Sequence, residues 1–166
     1  MGIEKIISGG QTGVDQAALD AAMELNIDCG GWCPPVRLSE NGIIPSIYPL
    51  TETPNDKSDQ SPGIPRSLRT EWNVRDSDAT LILMPSDIKS DMGSEWTYQC
   101  AANYNKPCIV LDPFEDDIIP IIIKWLEENK ISVLNIAGPS ESKYPGIGSA
   151  TYRILIRVFK SYPDKN

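Results

Sequence analysis

Ser8-Gly9-Gly10-Gln11-Thr12-Gly13 lies between a short β-branched run, Glu4 to Ser8, and a helical pattern of Val14, Ala17, Ala18, Ala21 and Leu25. Glycines in such a turn let backbone amides approach an anion, and the N-terminus of the following helix adds partial positive charge. The chemistry this suits is capture of a phosphate or other oxyanion by Gly9, Gly10, Gln11, Thr12 and Gly13. The loop has neither the Gly-Lys-Ser/Thr ending of a P-loop nor the spacing of the dinucleotide fingerprint. The alternative is a plain turn, with Thr12 as helix cap and Asp15 complementing the helix dipole. On the binding reading, Gly10→Asp weakens ligand capture more than it harms folding, because a carboxylate takes the anion's place.

A second turn, Met92-Gly93-Ser94, follows the apolar run Ala79 to Met84 and precedes another helical pattern. Its amides and the hydroxyls of Ser94 and Thr97 are candidates for the same crevice, or Ser94 is an N-cap with Thr97 exposed. Arg66, Arg69 and Asn73 fall at helical spacing on one face of a helix before Ala79. There Arg69 suits a phosphate clamp and Asn73 suits a ring or hydroxyl, unless the helix is a surface one paired locally through Glu71, Arg75 and Asp76. Trp32 and Arg37 suit stacking on a planar heterocycle and pairing with an anion, with a core anchor as the alternative for Trp32. Ser140 and Ser142, after the last strand, donate to an oxyanion or cap the final helix.

The elements that must position these residues alternate between strand and helix. Strands are expected over Glu4–Ser8, Ala79–Met84, Cys108–Leu111 and Val133–Ala137. Helical patterns run from Val14 to Leu25, from Ser94 to Tyr104, through Ile118, Ile122, Trp125, Leu126 and Asn129, and from about Gly146 to Tyr162, where Pro163 stops the last. The strands are continuous apolar runs, as expected when helices cover both faces of a parallel sheet. The fold expected is a single-domain, doubly wound α/β structure over residues 1–166, mainly parallel and three-layered. Pro34–Pro49 and Pro54–Pro65 lack periodicity and read as functional covers or mobile segments, and the tail from Tyr162 to Asn166 reads as frayed.

Composition narrows the chemistry. The 166 residues carry 15 Lys and Arg against 23 Asp and Glu, a net charge of −8, which opposes attraction to a nucleic acid backbone. Histidine is absent, removing the usual general base, the usual zinc ligand and every nucleophile arrangement built on imidazole. Cys29, Cys33, Cys100 and Cys108 lack the paired short spacing of structural zinc sites and read as buried free thiols, so no tightly bound catalytic metal is expected. No apolar run approaches the length of a membrane span and Met1 to Ser8 shows no secretory pattern, so the expected location is cytoplasmic, without a membrane partner.

Taken jointly, Ser8-Gly-Gly-Gln-Thr-Gly-Val-Asp15, Gly30-Gly-Trp-Cys-Pro34, Tyr48-Pro-Leu-Thr-Glu-Thr53, the run Arg69 to Thr80, and Asn135-Ile-Ala-Gly-Pro139 with Glu141-Ser142 are specific. With these motifs the sequence resembles the molybdenum cofactor carrier family, within the broader group that includes the phosphoribohydrolases long labelled lysine decarboxylases. The resemblance implies a Rossmann-like sheet, a homo-oligomer (dimer or tetramer), and a crevice for a phosphate-bearing pterin or nucleotide-like ligand, with molybdenum cofactor as possible cargo. The chain departs from the family pattern at Gln16, where a basic residue is usual, and at Pro35-Val36, where Lys-Gly is typical.

The main expectation is a carrier in which the turns at Gly10–Gly13 and Gly93–Ser94 hold oxyanion groups while Arg69 or Arg37 neutralises charge. A competing reading is an enzyme releasing the base from a nucleoside monophosphate, with Arg69 on the phosphate and Glu95, Glu71 or Asp15 as acid and base. The phosphoribohydrolase glutamate has no clean counterpart here, although Arg69 matches that group's arginine. A third is an oligomeric interaction module with a vestigial crevice, in which Trp32, Trp72 and Trp96 are interface or core residues.

Overall fold

The computed structural model describes residues 2–162. Five parallel strands form the central sheet: β1 (Lys5–Ile7), β2 (Asp28–Gly30), β7 (Ala79–Leu83), β8 (Cys108–Leu111) and β9 (Val133–Ala137). Two small pairs stand outside it, β3 (Trp32–Cys33) with β6 (Thr51–Glu52), and a hairpin of β4 (Leu38–Ser39) with β5 (Gly42–Ile43). The helices are α1 (Val14–Glu24), α2 (Ser67–Arg75), α3 (Met92–Asn103), α4 (Ile118–Glu128) and α5 (Ile147–Ser161).

All five residues of β7 are buried, as a strand covered on both faces must be. One helical layer packs α1 on α5 and α5 on α4, while α2 packs on α3. The larger core joins Ile6, Leu19, Leu81, Ile122, Leu134 and Ile154, and a smaller one joins Val74, Trp96, Cys100 and Ala101 between α2 and α3. The expected Rossmann-like α/β architecture is therefore present. The expected strands and helices are found with ends shifted by a residue or two, and β2 is a strand that the sequence pattern did not reveal. Pro163 and the tail beyond Tyr162 lie outside the described residues. Cys29, Cys33 and Cys100 are buried free thiols, and Cys108 is half-buried on the edge strand β8.

The strand order across the sheet is β2-β1-β9-β7-β8. Counted in sequence from β9, continuing through β1, β2, β7 and β8, that order becomes 3-2-1-4-5, the doubly wound arrangement of a dinucleotide-type sheet. The chain thus runs through a familiar sheet from a different starting strand. Winding reverses between β9 and β7, so the ligand crevice of such a sheet is expected beyond their carboxyl ends.

Candidate functional site

A crevice of about 300 Å³ opens at that reversal, lined by Gln11 from the first loop, Arg66, Arg69 and Thr70 from the start of α2, Asp91 to Gly93 at the start of α3, and Gly138 to Ser140 after β9. A larger cavity of about 410 Å³ lies among Glu4, Asn26, Asp28 and Lys160 at the amino ends of β1 and β2. Ligands in open α/β sheets bind outside the carboxyl ends, which favours the smaller one. Gly13 makes the convergence possible. It adopts φ of 79°, and a Cβ there would sit 2.6 Å from the Pro139 carbonyl oxygen and 2.7 Å from the Glu141 amide nitrogen.

The first loop borders the crevice, but three of its amides are used within the loop. The amide of Gly10 donates to Ser8 Oγ at 3.4 Å, that of Gln11 to Asp15 Oδ2 at 3.3 Å, and that of Thr12 to Gln11 Oε1 at 3.0 Å. This corrects the expectation of free donors at Gly10, Gln11 and Thr12: nearby side chains of the same loop satisfy them first. Gly10 itself adopts φ of 81° and a Cβ there would collide with Leu50, so Gly10→Asp strikes the packing before it meets a ligand.

The second turn is also used internally. Helix α3 begins at Met92, and Asp91, not Ser94, is its N-cap, accepting from the Ser94 amide at 3.2 Å. Thr97 is buried and donates to the Gly93 carbonyl at 2.8 Å. Of the expected contributors Gly93, Ser94 and Thr97, Gly93 alone reaches the crevice lining. Neither Ser140 nor Ser142 caps α5. Glu141 does so, accepting from the amides of Gly146 at 2.6 Å and Gly148 at 3.0 Å. The beginnings of α1, α3 and α5 thus each hold a carboxylate of this chain, Asp15, Asp91 or Glu141.

Arg69 carries the charge of the crevice. Its guanidinium lies against Gly9, where a Cβ would overlap it, and Nη1 contacts Asp15 Oδ2 at 3.2 Å. The Asp15 side chain is 2% exposed and that of Arg69 is 15% exposed. Asp15 Oδ1 and Arg69 Nε are both buried without a partner. Burial pushes the Asp15 carboxyl up to about 6, with Arg69 and the Gln11 amide opposing the rise. Arg66, beside it, caps α2 with φ of 61°, an unusual conformation outside glycine.

Two expected contributors point elsewhere. Asn73 is buried, accepting from the Trp32 amide at 2.7 Å and donating to its carbonyl at 3.0 Å, so it ties α2 to β3. Arg37 donates to the carbonyls of Ile44, Pro45, Tyr48 and Leu50 at 2.8–3.3 Å, which fixes the loop between β5 and β6. Trp32 is half-buried, packs edge-on against Trp72 with centroids 4.8 Å apart and donates to Asp76 at 2.8 Å, outside both core clusters. Of the three candidate acids, Glu95 is exposed, Glu71 accepts from Ser58 Oγ at 3.0 Å, and only Asp15 touches Arg69.

Sequence reasoning missed Glu40, Asp91 and Glu141. Asp91 had a signal, a short acceptor three residues before Ser94 at a helix start. Glu40 had none, because its partners Thr12 and Ser142 come from two distant loops. Among the described residues, no group of three or more Cys, Asp or Glu side chains is placed to hold a metal ion.

No curated protein matches the chain. Its fold is similar to the crystal structure of "Putative molybdenum carrier protein" from Syntrophus aciditrophicus SB, with 44% identity, 95% of each chain covered and a TM-score of 0.83. The model of the circularly permutated YpsA SLOG family matches residues 6–159. That range takes in every strand of the sheet except the first residue of β1. The chain belongs to the circularly permutated YpsA SLOG family.

Proposed function

We propose that residues 1–166 form one ligand-binding domain of a cytoplasmic carrier protein, holding a small phosphate-bearing ligand in the crevice between β9 and β7. The cargo we favour is molybdenum cofactor, in keeping with the name of the Syntrophus aciditrophicus relative. The carrying observation is electrostatic: in a chain of net charge −8, this crevice is lined by Arg66 and Arg69 against Asp91, with Lys143 paired to Asp91 and Asp15 paired to Arg69 behind it, which leaves the cations in excess by one. A locally cationic concavity in an acidic particle favours an anionic guest. With amides 10 to 12 used internally, Arg69 and the free face of Gly93 replace the glycine loop as the groups that meet the oxyanion. A homo-oligomer is supported by the exposed Val110 on edge strand β8 and the exposed Tyr98 on α3.

The test is mass spectrometry of whatever copurifies with the native protein, with metal analysis for molybdenum and tungsten. A phosphorylated pterin retained by the native protein and lost in Arg69→Ala is the expected result. Protein free of any pterin, and unshifted in melting temperature by one, counts against the reading.

One observation favours a hydrolytic second reading. Asp15, titrating near 6 beside Arg69, has the properties of an acid-base group matched to neutral pH. Sustained release of base from nucleoside monophosphates, abolished in Arg69→Ala and Asp15→Asn, supports the enzyme over the carrier.

A further inference from the structure

The β4–β5 hairpin brings Glu40 over the first loop, where donors close on its carboxylate. Thr12 Oγ1 and the Ser142 amide, the latter at 3.2 Å, donate to Oε1, and Ser142 Oγ donates to Oε2. The Glu40 amide donates to Gln11 Oε1 at 3.0 Å. Burial alone would raise the Glu40 carboxyl, but the hydroxyls of Ser142 and Thr12 and the Ser142 amide outweigh it and hold it below its usual range.

These donors are neutral hydroxyls and an amide from two loops, and no arginine or lysine pairs with Glu40 among the described ion pairs. Such a set serves any oxyanion and has no preference for a carboxylate. Gln11, which accepts from the Glu40 amide, and Ser140, a neighbour of Ser142 in the second loop, also line the crevice. The hairpin tip has little else to hold it. Leu38 and Ile43, paired across its strands, are 55% and 76% exposed. Behind the tip the loop is firm, with Ile44 buried and Arg37 tied to four carbonyls. At the junction, Val36 and Arg37 adopt consecutive φ values of 55° and 53°, a strained pair for non-glycine residues.

We propose that Glu40 is a built-in occupant of an oxyanion position, and that a phosphate-type oxyanion exchanges with it on Thr12 and Ser142, releasing the β4–β5 hairpin from the mouth of the crevice. This rests on the crevice reading for where the remainder of a larger ligand lies. An internal competitor that is bound nine-tenths of the time lowers the apparent affinity of an external anion about tenfold.

The experiment titrates inorganic phosphate and adenosine monophosphate calorimetrically into the wild type, Glu40→Gln, Glu40→Ala, and Glu40→Ala combined with Thr12→Val and Ser142→Ala. Both single variants are expected to bind phosphate at least about ten times more tightly than the wild type, with the gain lost in the triple variant. Single variants that fold normally and bind no more tightly overturn the proposal, as does a gain that survives loss of Thr12 and Ser142. Should the variants not fold, hydrogen exchange on the wild type decides: amides of residues 38–43 are expected to exchange faster at saturating phosphate, and unchanged exchange overturns the proposal. A gain for inorganic phosphate without one for the nucleotide supports the exchange and counts against the crevice reading. A gain for both supports the two together.

Discussion

Replacing Arg69 by leucine exposes how the buried pair is balanced. Asp15 titrates near 3.8 when unfolded and about 6 when folded. Between those values the folded chain retains a proton that the unfolded chain has lost. Its contribution to stability is therefore greatest below pH 4 and declines as pH rises through 6, by about 3 kcal/mol in all. In Arg69→Leu the main opposing influence on the carboxyl disappears, while burial remains. Buried carboxyls without a cation reach values of about 8. At pH 5 Asp15 is largely neutral in both proteins, and the substitution removes one hydrogen bond and the guanidinium packing on Gly9, a loss of about 1–2 kcal/mol. At pH 8 the variant must also ionise an unpaired buried acid or bind a proton from dilute solution, which adds roughly 2–3 kcal/mol. Urea unfolding followed by the fluorescence of the four tryptophans measures both losses. Equal losses at pH 5 and pH 8, or a greater loss at pH 5, refute the account. The double variant Asp15→Asn/Arg69→Leu removes the titrating group and is expected to lose the difference between the two pH values.

Gly10→Asp is expected to destabilise the fold by about 2–4 kcal/mol in chemical denaturation, since it combines a positive φ with a collision against Leu50. A variant as stable as the wild type refutes this packing. Asn73→Leu leaves the amide and carbonyl of Trp32 without their partner in a half-buried position and is expected to cost about 1–3 kcal/mol, read as a lowered urea midpoint. Arg37→Ala is expected to speed hydrogen exchange across residues 44–50 while leaving strands β7 and β9 protected. Asp91→Ala removes the cap of α3 and is expected to cost about 1 kcal/mol, measured by thermal or urea unfolding.

The central sheet was largely legible because β7 and β9 are mainly apolar runs, each carrying one buried polar residue, Thr80 or Asn135, and α1 and α5 keep a helical period over three or more turns. Strand β2 was not, because Asp28-Cys29-Gly30 is too short to show a period and is specified by pairing with β1. The site was legible where a single side chain reaches far, as Arg69 does from α2 to Gly9 and Asp15. It was illegible where backbone donors had to be allotted among competing acceptors. The glycine pattern at 9–13 predicts open amides equally well whether or not Ser8, Gln11 and Asp15 fold back to take them. Likewise Asn73 and Arg37 have the residue types of ligand contacts, and the distance to Trp32 or to four loop carbonyls belongs to the tertiary structure alone.

The place of β9 between β1 and β7 has a consequence for how the chain is made. The ribosome delivers β1 with β2, then β7 with β8, and each pair must wait with an inner edge bare until the fifth strand arrives. Unpaired inner edges are templates for the wrong neighbour. Nascent chains halted before Val133 are therefore expected to cling to chaperones as two half-sheets and to mature only when the central strand zips them together.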